Sequence, residues 1–220
     1  MSTGVIFDLD GVLADSRAAI VASFRHALLA RGHDDPGETR LAACIGPPPF
    51  VAIGSILGLD PGDPEVAAVV AEYRADYGPN YLQRTPPFAG VVEALGELRA
   101  AGHVLAVATS KPRRFASPLV DALGLGELVR HVAGPDLDKQ ASSKQAEVAE
   151  ALEAIAVERA IMVGDRKFDI AGAHANGIRG LGVLWGIGDR EELESAGAAA
   201  PGGAARVRGA GRPGPLRPCA

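Results

Sequence analysis

Asp8 and Asp10 stand two residues apart, directly after the short apolar run Val5-Ile6-Phe7, and Gly11 follows them. The run reads as a buried strand. Two carboxylates at the end of a buried strand repel each other, and a divalent cation offsets that repulsion because hard cations prefer oxygen ligands. A carboxylate held against a cation can also act as a nucleophile toward phosphorus, giving an aspartyl-phosphate. The same residues would equally make an ordinary turn, since Asp and Gly are common at strand ends. Which reading holds depends on what the rest of the chain brings to the same place.

Further groups capable of chemistry sit at comparable positions. Thr109-Ser110 closes a continuous apolar run from His103 to Ala108, and Gly164-Asp165 closes another from Ala160 to Val163. Asp169 lies four residues beyond Asp165, and Lys144 opens a segment of helical periodicity that Ser142 would cap, with Gln145 three residues later as in a capping box. Lys111 and Lys139 compete with Lys144 as the cation of such a site. Arg166 and Lys167 read as surface charges beside it. The histidines (His26, His33, His103, His131 and His174) are scattered and form no metal-binding spacing.

The elements that must position these groups follow from periodicity. Ile20, Phe24, Ala27, Leu28 and Arg31 recur at helical spacing, with Ser16 as an N-cap and Gly32 as a stop. Short helices are expected over Thr39–Cys44 and Phe50–Leu57, and a longer one over Glu65–Tyr77 with Val66, Val69, Val70 and Tyr73 on one stripe. Residues 16–83 therefore read as an all-helical insertion, without a strand signal. From Pro86 onward helices (Val91–Ala101, Arg113–Leu123, Ser142 to about Ile155, Ile170–Ala175) alternate with strands (His103–Ala108, Leu128–Ala133, Ala160–Val163, Leu181–Leu184). That alternation predicts an α/β fold with a parallel sheet covered on both faces. Ligands of such sheets bind outside the carboxyl ends of the strands, where these polar groups are expected to converge.

Bulk properties exclude several classes. The net charge is −5, and residues 1–195 carry 18 basic against 27 acidic residues. Such a balance speaks against a nucleic-acid-binding surface or an anionic membrane as partner. No run reaches membrane-spanning length and no signal-peptide pattern opens the chain. The two cysteines, Cys44 and Cys219, stand in unlike contexts, which suits a reduced, cytoplasmic setting.

Taken together and in order, Asp8-Leu9-Asp10-Gly11, Thr109, Lys144 and Gly164-Asp165-Arg166-Lys167-Phe168-Asp169 resemble the motifs of the haloacid dehalogenase superfamily. More narrowly, the chain from residue 4 to about residue 197 looks like the phosphoglycolate-phosphatase and 5′-nucleotidase branch. The resemblance implies a Rossmann-like three-layer core from residues 1–15 and 84–197, with residues 16–83 as a helical cap. It implies Mg²⁺ held by Asp8, Asp10 (through its carbonyl) and Asp165, with Asp169 supporting the site. Asp8 would be the nucleophile and Asp10 the general acid and base, while Thr109, Ser110 and Lys144 would bind the phosphoryl group. Having an acid at position 10 argues for phosphoryl transfer over dehalogenation.

The implied substrate is a small phosphorylated metabolite, phosphoglycolate first and a nucleoside 5′-monophosphate next. A phosphomutase and a non-catalytic phospho-ligand-binding protein are the rival readings. Specificity is expected from the cap, with Gly46-Pro47-Pro48, Phe50, Tyr73, Tyr77, Tyr81 and Arg84 as candidates; the absence of lysine from residues 16–83 speaks against a phosphonatase. The tail departs from the pattern. Of the 25 residues in 196–220, 18 are Gly, Ala or Pro. Residues 198–220 are therefore expected to be disordered, with the composition of GC-rich DNA read in a shifted frame.

Overall fold

The computed structural model describes residues 2–137 and 143–199. Ala198 and Ala199, expected in a disordered tail, donate to the Leu193 and Gly180 carbonyls, while the rest of the tail expectation, the Ser142 cap, Lys139 and Cys219 fall outside these residues. Five parallel strands form one sheet: β1 (Gly4–Phe7), β2 (Val104–Ala108), β3 (His131–Ala133), β4 (Ala160–Gly164) and β5 (Arg179–Gly182). Their order is β3-β2-β1-β4-β5, so the first strand lies at the centre. Val5 and Phe7 join one apolar cluster, while Ile6 joins another with Ala106, Ala108, Val148 and Met162. Alternate side chains of a strand point to opposite faces. The central strand thus buries both faces, which is why its sequence is continuously apolar.

Four helices follow β1 before the alternation begins: α1 (Arg17–Ala30), α2 (Glu38–Ala43), α3 (Pro49–Leu57) and α4 (Pro64–Arg84). Helices α1 and α4 pack together through Ile20, Phe24, Tyr73 and Tyr77, with the Phe24 and Tyr73 rings 4.7 Å apart. Helix α4 runs seven residues beyond the Tyr77 expected from sequence and contains Pro79. A proline removes one helical N–H. The loss is outweighed by the continuing stripe: Tyr73, Tyr77 and Tyr81 stack at 5.2 Å intervals and are all buried. Asp63 caps the helix by accepting from the Glu65 N–H. Ser16 occupies the cap position of α1, but its hydroxyl makes no capping bond and lies buried without a partner.

The remaining helices are α5 (Val91–Ala100), α6 (Arg113–Ala122), α7 (Lys144–Ile155), α8 (Lys167–Ala175) and α9 (Arg190–Ser195). The cap of α7 is Ser143, whose side chain accepts from the Ala146 N–H. This places Lys144 at the first helical position. Helix α8 begins three residues earlier than its apolar pattern suggests, because Asp169 caps it by accepting from the Arg166 N–H at 3.0 Å. Strand β5 lies two residues earlier than the expected Leu181–Leu184. Its two glycines lack strand propensity, yet Gly180 is required where Ile170 of α8 presses on the sheet. A Cβ at Gly180 would lie 2.9 Å from Ile170 Cδ1 and 3.1 Å from Ile170 Cα.

Substitution Gly180→Ala is expected to cost about 1–3 kcal/mol through overpacking, read as a lower midpoint in thermal unfolding. Gly96→Ala, in open space on α5, should instead stabilise by about 0.4–1 kcal/mol.

Candidate active site

Two chain segments far apart in sequence deliver three acids to the carboxyl edge of the sheet. Asp8 follows β1, Asp165 follows β4, and Asp169 lies in the first turn of α8. Among the described residues these three carboxylates each bring an oxygen within 4.8 Å of the others, and all three are buried. Lys144 enters from the first turn of α7. Its ammonium donates to Asp8 Oδ1 at 2.8 Å and to the Ala108 carbonyl at 3.1 Å, and lies 2.9 Å from Asp169 Oδ1. The last contact is an ion pair without hydrogen-bond alignment, since Asp169 Oδ1 finds no aligned donor.

The charges in this pocket do not balance. Three carboxylates face one ammonium. Burial pushes the Asp8 carboxyl up to about 7, helped by the charges of Asp169 and Asp10 and opposed by Lys144. Burial likewise pushes Asp165 up to about 8, with Asp169 and Asp8 adding to the effect. Burial alone would lower the Lys144 pKa, but the charges of Asp169 and Asp8 raise it on balance. Lys144 is thus a fixed cation, and Asp8 and Asp165 are the groups under strain.

Asp165 is also the residue with an oxygen to spare. Its Oδ2 accepts from the Ile187 N–H at 2.7 Å, while its Oδ1 is buried without a partner. Two glycines let backbone close around this carboxylate. A Cβ at Gly11 (φ +92°) or at Gly186 would collide with Asp165 Oδ2. Trp185 fastens the second loop by donating from its indole N–H to the Val12 carbonyl at 3.2 Å. An unpartnered carboxylate oxygen, two neighbouring acids and an uncompensated negative charge fit a hard divalent cation with oxygen ligands. Asp8, Asp165 and Asp169 are the side chains that would hold it.

The other expected site residues fall nearby, with differences. Thr109 is buried at the end of β2, and its hydroxyl accepts from the Lys111 N–H at 3.1 Å, which leaves the O–H free to donate. Asp10 does not join the carboxylate group. Its two oxygens accept from the Lys111 ammonium at 2.9 and 2.7 Å. A cleft beside Asp8 and Asp10 is lined by Thr109, Ser110 and Lys111, and across from them by Phe24, Tyr73, Arg74 and Tyr77. Gly46 and Pro47 line it as expected, whereas Pro48, Phe50, Tyr81 and Arg84 do not.

Arg166 is not a surface charge. It is buried, pairs with Glu192 at 2.9 Å, and donates to the Ile45 carbonyl beside Gly46. Lys167 is exposed, as expected. The Trp185–Gly188 loop is the site feature that sequence reasoning missed, while Lys111, a rival of Lys144 from sequence, pairs instead with Asp10. A Trp-Gly-Ile-Gly run after the last apolar strand was the available signal for the loop.

With this geometry in view, the likeness to known proteins is specific. The model of haloacid dehalogenase-like hydrolases matches residues 5–183. The chain belongs to the haloacid dehalogenase-like hydrolase family. It is 34% identical over 193 residues to a 5′-nucleotidase of Pseudomonas aeruginosa, covering 87% of this chain and 86% of that protein. It is 33% identical over 200 residues to a phosphoglycolate phosphatase of Caulobacter vibrioides, covering 88% and 84%. Tyrosine-protein kinase PtkA of Mycobacterium tuberculosis is 39% identical over 192 residues, covering 86% of this chain and 65% of that protein. The crystal structure of a predicted phosphatase from Clostridium acetobutylicum superposes with a TM-score of 0.84 at 30% identity, covering 90% and 92% of the two chains. This hydrolase is an enzyme of the phosphoric monoester class.

The raised Asp8 and Asp165 pKa values set the sign of a stability change. Between the unfolded value of 3.8 and the folded values of about 7 and about 8, the folded protein binds more protons than the unfolded chain. Stability of the metal-free protein is therefore lost as pH rises through that window. Melts in a chelator should show a falling midpoint from about pH 5 to about pH 8, and Asp165→Asn should flatten it by about 2–4 °C or more at the alkaline end. A midpoint that rises across this window would contradict the electrostatic account.

Proposed function

We propose that this hydrolase is a Mg²⁺-dependent phosphatase that cleaves a small phosphate monoester through an aspartyl-phosphate on Asp8. The observation that carries the proposal is the position of Asp8: buried, at the end of the central strand, between the Lys144 ammonium and the half-partnered Asp165. The bound cation would neutralise charge on the phosphoryl group and orient it for in-line attack. Asp8, Asp165, Asp169 and the Asp10 carbonyl are the groups proposed to surround it.

The chain's own residues divide the work. An Asp8 oxygen attacks phosphorus as the bond to the ester oxygen breaks, and Asp10 gives its proton to the departing alkoxide. Water then attacks the acyl phosphate, and Asp10 takes its proton, so that Asp8 is released as a carboxylate together with inorganic phosphate. Thr109 donates its hydroxyl proton to a phosphoryl oxygen, assisted by the Ser110 backbone. Lys144 compensates the charge shared by Asp8 and the phosphoryl group. The helical residues 16–83 act as a cap over the core of residues 1–15 and 84–197, with the cleft between them as the substrate pocket.

Phosphoglycolate-like esters are the leading substrate class. The cations Lys111 and Arg74 in the cleft lining support it. A nucleoside 5′-monophosphate is the second reading, favoured by the aromatic lining of Phe24, Tyr73, Tyr77 and Phe115. The acidic balance of the folded part supports a free metabolite over nucleic acid as substrate. Among the described residues no helix is long and apolar enough to cross a membrane. The unlike contexts of the two cysteines support a reduced, cytoplasmic setting.

In an assay of phosphate release from an aryl phosphate with Mg²⁺, Asp8→Asn should lose at least about 10³-fold in kcat. Asp10→Asn should lose about 10²- to 10⁴-fold, most for esters with poor leaving groups. Unchanged turnover in Asp8→Asn would overturn the mechanism.

A further inference from the structure

Lys111 takes no part in the bond-making and bond-breaking steps of the proposed reaction. It is buried, and its ammonium donates to both oxygens of Asp10. The Tyr77 ring of α4 lies 5.0 Å from the ammonium, on the helical insertion. Only three donors are available to an ammonium. Asp10 takes two contacts, and an aromatic face is a favourable neighbour for the remaining charge. Arranged this way, Asp10 has both oxygens turned to one cation. An oxygen that carries a proton for the leaving group turns a donor toward the ammonium, so one of the two contacts must break.

The pair must therefore exchange partners during turnover. Removing one partner of a buried pair leaves an uncompensated charge, which is strongly unfavourable. A substrate that frees Asp10 at little cost is one that brings its own anion to Lys111. We infer that Lys111 is a positioning and specificity-determining residue: it holds Asp10 in the free enzyme and yields it when an anionic group on the leaving alcohol takes the ammonium. The inference rests on the proposed roles of Asp8 and Asp10, and it deepens them by naming the substrate feature that is read. The cleft supports it, because Lys111 lines the same cavity as Asp10, Ser110 and Tyr77. No new bond chemistry is required; one ion pair replaces another.

The test compares two esters of nearly equal size, 2-phosphoglycolate and 2-hydroxyethyl phosphate, which differ in whether the alcohol carries a carboxylate. The wild-type protein with Mg²⁺ should favour the carboxylate ester by at least about tenfold in kcat/KM, the scale of one charge-assisted hydrogen bond. Lys111→Met should erase that preference, lowering kcat/KM for phosphoglycolate by at least about tenfold more than for the neutral ester. Lys111→Arg should restore part of the preference. Equal losses on both esters in Lys111→Met would mean a purely structural lysine and would overturn the inference. Should Lys111→Met fail to fold, the wild-type comparison still decides, because equal kcat/KM for the two esters contradicts it. Asp8→Asn separates the two levels: activity on both esters in that variant would sink the mechanism itself, and with it the role given to Lys111.

Discussion

Everything at this site depends on one ammonium shared among buried carboxylates. Lys144 reaches Asp8 from a different element and lies against Asp169 from a third. In water such contacts are worth little. In a dry pocket the charges interact strongly, and any imbalance is felt by every member. One lysine cannot balance three acids. The imbalance raises the pKa values of Asp8 and Asp165 and makes a second, divalent positive charge the natural complement. The fold serves this arrangement: the central strand, the neighbouring strand and two helix starts all end at one place.

Beside this cluster lies a second charge pair with a different character. Asp10 and Lys111 are balanced on their own, and both line the cleft, as Asp165 and Asp169 do not. The two aspartates of the Asp8-Leu9-Asp10 turn are thus held by different lysines. That division suits the two tasks proposed for them, attack at phosphorus and proton movement at the leaving oxygen. Arg166 adds a third connection. Its backbone N–H is accepted by Asp169, while its side chain reaches the Ile45 carbonyl and Glu192. The carboxylate cluster and the loop lining the cleft are therefore joined through a single residue.

Much of this was legible in the sequence. Strand ends carrying Asp8, Thr109 and Asp165 stood out because continuous apolar runs stopped at them, and a parallel sheet brings such ends to one edge. The four helices of the insertion were legible from their periodicity. What escaped was pairing at long range and packing that overrides propensity. Lys111 reads only as a rival of Lys144 until Asp10, 101 residues earlier, is seen against it. Arg166 looks like a surface charge until the Ile45 carbonyl is found beside it. Helix α4 continues through Pro79 because buried tyrosines demand it, and β5 forms through two glycines because Ile170 and Leu193 need the space. In each case a tertiary contact decided what local sequence could not.

Asp8 and Asp165 are buried acids whose charge a divalent cation would offset. Calorimetric titration of the metal-free protein with Mg²⁺ at about pH 7, repeated in buffers of different ionisation enthalpy, tests it most directly, because metal binding to protonated ligands must release protons. The account predicts net proton release on binding, diminished in Asp165→Asn. Binding of Mg²⁺ with no proton released, or undiminished release in that variant, would contradict it.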